Sequence, residues 1–207
     1  MSETPILYSF RRCPYAMRAR LGLASAQILV ELREVVLRDK PAAFLAASPT
    51  GTVPCLQTEG AVIDESFDIM RWALGQSDPE GWLNMPAQGL AWIEEADGPF
   101  KRALDRTKYP TRYPGEGPEA HRAVAHAFLA RLDAQIETWI FDRPTLADFA
   151  ILPFVRQFAF IDKTRFDAQD WPSLQGWLER FLTSDRFTAV MDKYPQWQDG
   201  DAPTAFP

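Results

Sequence analysis

The stretch YSFRRCPYAMRARLGL, Tyr8 to Leu23, decides how the first half of the chain is read. A strand-like run ends, Cys13 is followed at once by Pro14, and a helix-like run begins. Proline suits the first position of a helix, where its missing N–H would have no partner anyway. The spacing predicts a helix from Pro14 to about Ala26, with Cys13 at or just before its start. There, open backbone N–H groups and the positive end of the helix dipole favour a thiolate. Arg11, Arg12, Arg18 and Arg20 add positive charge nearby, although Arg18 and Arg20 read equally well as a solvated face. Three residues after Cys13, where a dithiol oxidoreductase carries its second cysteine, stands Ala16. A mixed disulfide on Cys13 would therefore wait for an external thiol. The plain alternative is that Cys13 is a small buried apolar side chain.

Outward from this stretch the punctuation alternates between strand and helix. PILYSF reads as a strand, VELREVVL as a second, and KPAAFLAAS as a short helix ended by Pro49 and Gly51. VPCLQTEGAVI reads as a hairpin turning at Glu59-Gly60, and Ser66 to about Leu74 as a closing helix. The order is βαβαββα. GQSDPEGWLNMP, Gly75 to Pro86, has the composition of a linker. Beyond it strand signals vanish, and helical periodicity covers about 87–108, 119–141, 145–161 and 173–192. Thr145 and Asp148 form an approximate capping box ahead of an apolar run, which reads Asp148 as structural rather than as a catalytic acid.

Composition bounds the function. The 207 residues carry a net charge of -6, with 46% hydrophobic and 24% charged residues, which fits a globular chain and argues against nucleic-acid binding. MSETPILYSF lacks a signal peptide's basic start, and no apolar run reaches the roughly 18 to 20 residues of a membrane span. Two cysteines are too few for a disulfide framework, so the expected location is the cytoplasm. His121 and His126 share no familiar ligand spacing with Cys13 and Cys55, so no metal is expected. Cys55, one residue after Pro54 in a strand, reads as core, with a resolving or sensing role as the alternative.

With YSFRRCPYAMRARLGL, LRDKPAAFLAASPTGTVPCL and DESFDIMRW in this order, the chain resembles a cytosolic glutathione transferase, most of all the omega-like, cysteine-type class. The resemblance implies a thioredoxin-like, glutathione-binding domain over 1–76, a linker over 77–86 and an all-helical domain over 87–207. It implies that Cys13 forms a mixed disulfide with glutathione, and that Val53, before a cis Pro54, pairs its backbone with the cysteinyl group. Glu65 and Ser66 would take the γ-glutamyl end, Lys40 the glycyl carboxylate, and Tyr15 would lie beside the cysteine. The chemistry of those residue types agrees: a serine hydroxyl and helix-start N–H groups suit a carboxylate, and a glutamate can accept from an ammonium. Each has a plainer reading: Ser66 as a helix cap, Lys40 as a surface lysine, Tyr15 as packing.

The expected function is a glutathione-dependent monothiol transferase acting by thiol-disulfide exchange, with dehydroascorbate or an α-haloketone, reduced by related chemistry, as an alternative acceptor; the resemblance further implies a homodimer. The first alternative is a conjugating transferase in which Tyr8 or Ser9 stabilises the glutathione thiolate. The second is a non-enzymatic interaction module of the same fold. Tyr109, Tyr113, Phe158 and Trp171 are candidate walls for a second-substrate pocket, or simply core. Omega members usually extend further at the C-terminus than Pro207, so this pocket is not assigned.

Overall fold

The computed structural model describes residues 4–115 and 117–207. The chain forms two compact units: one holds the chain up to Gly81 together with Ser184–Pro207, the other Trp82–Thr183.

In the first unit, β1 (Ile6–Ser9), α1 (Pro14–Ala26), β2 (Val30–Glu34), α2 (Ala42–Ala47), β3 (Cys55–Gln57), β4 (Val62–Ile63) and α3 (Ser66–Gln76) follow in the expected order. β1 runs parallel to β2 and antiparallel to β3, and β4 pairs with β3 as the hairpin spacing predicts. Register sorts the side chains between two faces. Tyr8 stands level with Cys55 and Arg33, and with Phe44, Val35, Val53 and Trp197 it builds a small core on one face. Leu7 with Leu32, and Ser9 with Glu34, point to the other face.

α1 and α3 pack closely. A Cβ built on Gly22 would lie 2.9 Å from the Met70 Cα, so only glycine allows the two backbones this approach. Here glycine serves packing, not an unusual backbone angle.

The sequence reading carries the helical half to residue 207; in the structure residues 184–207 group with the first unit. The expected helix over 173–192 breaks at Thr183–Ser184 into α9 (Pro172–Leu182) and α10 (Asp185–Val190). Ser184 caps α10, accepting from the Phe187 N–H at 3.1 Å. The chain then returns along the outer edge of β2. The Trp197 N–H donates to the Glu34 carbonyl and the Leu32 N–H to the Thr204 carbonyl. β5 (Ala205–Phe206) pairs antiparallel with β2, giving the order β4-β3-β1-β2-β5. The edge of β2 is thereby covered by β5.

The second unit is helical. α4 (Gln88–Glu95) passes through a π-turn at Ala96–Phe100 into α5 (Lys101–Lys108). Pro99 sits inside that turn and, lacking an N–H, cannot donate the regular helical bond. α6 (Pro118–Gln135), α7 (Leu146–Ala159), the short α8 (Lys163–Asp167) and α9 complete it. Phe100 stacks on Phe128 at 4.6 Å, and Trp82 on Phe149 at 4.0 Å. No helix among the described residues is long and apolar enough to cross a membrane.

Asp148 holds this unit's polar centre. Its Oδ1 accepts from the Ile140 N–H and the Trp177 Nε1–H, each at 2.9 Å. Its Oδ2 accepts from the Thr145 N–H at 2.8 Å, which is its half of the capping box, and also from the Thr145 hydroxyl at 3.0 Å. Burial pushes the carboxyl above its usual range, and these hydrogen bonds pull it back.

Two stability predictions follow from this packing. Gly22→Ala should cost about 2 kcal/mol in urea unfolding, because the new methyl has nowhere to go; a loss below about 0.5 kcal/mol would mean the helices separate readily. Asp148→Ala strands three buried N–H donors and should cost about 3 kcal/mol or more by the same measurement. A near-neutral result would contradict its structural role.

Candidate glutathione and thiol site

The site is built from the ends of elements in the first unit. β1 ends at Ser9, and a turn over Phe10–Cys13 closes with the Cys13 N–H donating to the Phe10 carbonyl at 2.9 Å. Cys13 is the residue before the first helical position, with φ -74° and ψ 124°, and Pro14 opens α1. Cys13 is half-buried, and its Sγ lies 3.7 Å from the Val53 carbonyl oxygen as a weak donor. The Val53–Pro54 peptide bond is cis. The structure therefore brings together the two segments that the resemblance pairs, the cysteine turn and the strand-leading proline.

α3 contributes a second helix start. Glu65 stands before the first helical residue and is exposed; its side chain makes no capping bond. Ser66 is the first helical residue and is buried, so it is not the cap that the plainer reading had in view. Its hydroxyl oxygen accepts from Arg18 Nε at 3.1 Å, across 48 residues of sequence. Accepting there leaves the hydroxyl proton to be given elsewhere. Arg18 also lies over the rings of Tyr15, at 5.7 Å, and Phe67, at 5.6 Å, so Tyr15 packs on this arginine. Arg18 and Arg20 are both buried, which closes the question of a solvated face.

Lys40 is exposed and donates to the Gly51 carbonyl at 2.9 Å, in the loop leading to Val53. Gly51 has φ +63°, a conformation that favours glycine.

The hydroxyls of the conjugating alternative sit differently. Tyr8 is buried, and its hydroxyl accepts from Arg33 Nη1 at 2.9 Å, while Arg33 stacks on Trp197 at 4.2 Å. Ser9 is buried on the opposite face of β1, level with Glu34. Cys55 is fully buried in the Tyr8 core, and burial pushes its thiol up. Such a thiol is a poor nucleophile at neutral pH.

In the second unit the four candidate pocket aromatics divide. Phe158 and Trp171 are buried around His126 as core, whereas Tyr109 lies beneath Arg112 and Tyr113 beneath Arg106. Among the described residues no group of three or more metal-ligating side chains occurs.

Sequence reasoning missed Glu34. Its carboxylate accepts from the Arg11 N–H at 2.6 Å, in the turn that carries Cys13. The signal was present: Val30, Leu32 and Glu34 share the inward face of β2, so an acid stands where alternation demands an apolar residue.

Comparison with known proteins places the chain in a family. The glutathione S-transferase N-terminal domain matches residues 7–81, and the glutathione S-transferase C-terminal domain residues 90–180. Glutathione S-transferase aclG of Aspergillus oryzae is 39% identical, over 73% of this chain and 77% of its own. The trimodular acetylaranotin synthesis protein ataIMG of Aspergillus terreus is 40% identical over 78% of this chain, which spans only 18% of that protein. Rat glutathione S-transferase omega-1 is 39% identical over 36% of this chain and 31% of its own. Among solved structures, glutathione transferase Omega 3C of Trametes versicolor has a similar fold, with a TM-score of 0.76 at 19% identity over 94% of this chain and 91% of that one. A Pseudomonas fluorescens family member solved with two glutathiones bound has a TM-score of 0.78 at 19% identity, over 91% and 92% of the two chains. With both domains matched in order, the chain belongs to the glutathione S-transferase family, and part of it is similar to omega-class members.

Proposed function

We propose that the protein is a glutathione-dependent monothiol transferase whose nucleophile is Cys13. The observation that carries this reading is the position of Cys13 at the head of α1, beside the Val53 carbonyl, with Ala16 where a resolving cysteine would stand. The cysteine thiolate attacks the glutathione sulfur of a mixed disulfide; the S–S bond breaks and the departing thiolate takes up a proton. A second glutathione thiolate then attacks the adduct on Cys13, releasing oxidised glutathione and restoring the cysteine thiolate. The cycle is ping-pong and redox-balanced: glutathione is oxidised and the substrate disulfide reduced. It consumes reduced glutathione, so the proposed setting is the cytoplasm; dehydroascorbate or an α-haloketone is the proposed alternative acceptor, its two-electron reduction balanced by joining two glutathiones into oxidised glutathione.

The proposed glutathione contacts follow from charge and hydrogen-bonding chemistry. The Val53 backbone would exchange hydrogen bonds with the cysteinyl residue as an added strand does. Ser66 and the helix-start N–H groups of α3 would take the γ-glutamyl carboxylate, and Glu65 its ammonium. Lys40 would exchange its Gly51 partner for the glycyl carboxylate, and Tyr15 would flank the sulfur. No metal enters the cycle. A homodimer is the proposed assembly, checked by light scattering on the eluting protein.

Cys13→Ala should lower glutathione-dependent reduction of a glutathionylated peptide by about a hundredfold or more. Undiminished turnover would overturn the reading, and a gain of conjugating activity would favour a hydroxyl helper. Glu65→Gln and Ser66→Ala should each raise the KM for glutathione about tenfold, the loss of one charge-assisted hydrogen bond, with kcat much less affected. An unchanged KM in both would remove α3 from the binding site.

A further inference from the structure

The turn that delivers Cys13 is held by two buried charged side chains. Arg11, its second residue, has its carbonyl bonded by Arg20 Nη2 at 2.7 Å and its N–H bonded to Glu34 Oε1 at 2.6 Å. Arg20 comes from α1 and Glu34 from β2, so one residue of the turn is gripped at both its polar groups from two elements. The Arg20 side chain is 0% exposed and that of Glu34 9%.

This pair is poorly arranged for stability. Its closest approach, Arg20 Nη1 to Glu34 Oε2, is 4.0 Å, and neither atom has a hydrogen-bond partner among the described residues. Arg20 Nε has none either. A buried ion pair repays its desolvation only with close geometry and satisfied hydrogen bonds. Here burial pushes the Arg20 guanidinium down to about 10, and pushes the Glu34 carboxyl up. Both costs are retained beside the one turn that ends in Cys13.

Four charged or titratable groups act on Arg20. Glu34 of β2, Cys13 of the turn and Tyr194 of the C-terminal segment favour its charged form, while Arg11 opposes it. Coulomb attraction is mutual, so Arg20 favours an anion at Cys13 as Cys13 favours a cation at Arg20. The carboxylate of Glu34 competes for the same positive charge.

We propose that Arg20 and Glu34 are a positioning pair for Cys13. Together they fix the Phe10–Cys13 turn through both polar groups of Arg11; the buried Arg20 cation favours a thiolate at the end of that turn, and Glu34, 4.0 Å from Arg20, draws on the same charge and so opposes it. Both act through the turn and through charge, touching neither glutathione nor its acceptor. The inference rests on the reading of Cys13 as nucleophile, but its test does not require glutathione chemistry.

The test is the pH dependence of Cys13 alkylation by iodoacetamide, mapped to the Cys13 peptide by mass spectrometry, in the wild type and in two variants. Arg20→Gln should raise the midpoint by about one unit. Glu34→Gln, which keeps an oxygen for the Arg11 N–H but removes the charge, should lower it. A merely structural role would not move the two variants in opposite directions. Midpoints that stay together, or shift the same way, overturn the proposal. Should Arg20→Gln fail to fold, Glu34→Gln decides alone: a lowered midpoint supports the pair, and an unchanged or raised one overturns it. A wild-type protein that alkylates at Cys13 but forms no glutathione adduct would sink the transferase reading and leave this result standing.

Discussion

The close approach of α1 and α3 is the constraint on which the first unit depends. Gly22 lets the backbones meet at Met70, and that contact fixes the two helices whose starts hold the candidate site. Cys13 precedes one and Ser66 opens the other. Arg18, little more than one turn into α1, reaches Ser66 with its Nε, so the helix heads are tied by a hydrogen bond as well as by packing. A substrate with an anionic end and a sulfur can be met by two helix starts held in this way, because the first turn of a helix carries N–H groups without intrahelical partners.

The two units spend buried polarity differently. Asp148 is buried as deeply as any group in the chain, yet four donors converge on its two oxygens. Such a group locks structure: it joins the start of α7 to the segment before it and to α9. Arg20 and Glu34 are almost as deeply buried, but their facing atoms stop 4.0 Å apart. Their good hydrogen bonds go instead to the backbone of Arg11. The polar arrangement around Cys13 thus serves the geometry and charge of one turn more than the stability of the fold.

Local chemistry explains what the sequence revealed. Pro14 marks the start of α1 because φ and the missing N–H suit that position, and Glu59-Gly60 marks the β3–β4 turn. The Thr145–Asp148 box is legible for the same reason: its signal spans four residues. What escaped depends on distant partners. Nothing in Arg20 reveals burial until Glu34 and the Arg11 backbone are seen around it. β5 is two residues long and has no period to detect; it exists because the β2 edge is open to it. The break between α9 and α10 was readable in Thr183-Ser184-Asp185, a capping signal overridden by the apolar periodicity on either side. The helix start at Ser66 is legible as well, but the role of its hydroxyl is not: as the first helical residue it is no backbone cap, and its partner is Arg18, 48 residues away in sequence.

The central claim is that the thiol at the head of α1 carries glutathione, while the thiol in the Tyr8 core does not. Incubation with oxidised glutathione followed by peptide mass spectrometry tests it most directly. The account predicts a single adduct on Cys13 that added reduced glutathione removes. An adduct confined to Cys55, or a disulfide joining Cys13 to Cys55, would contradict it.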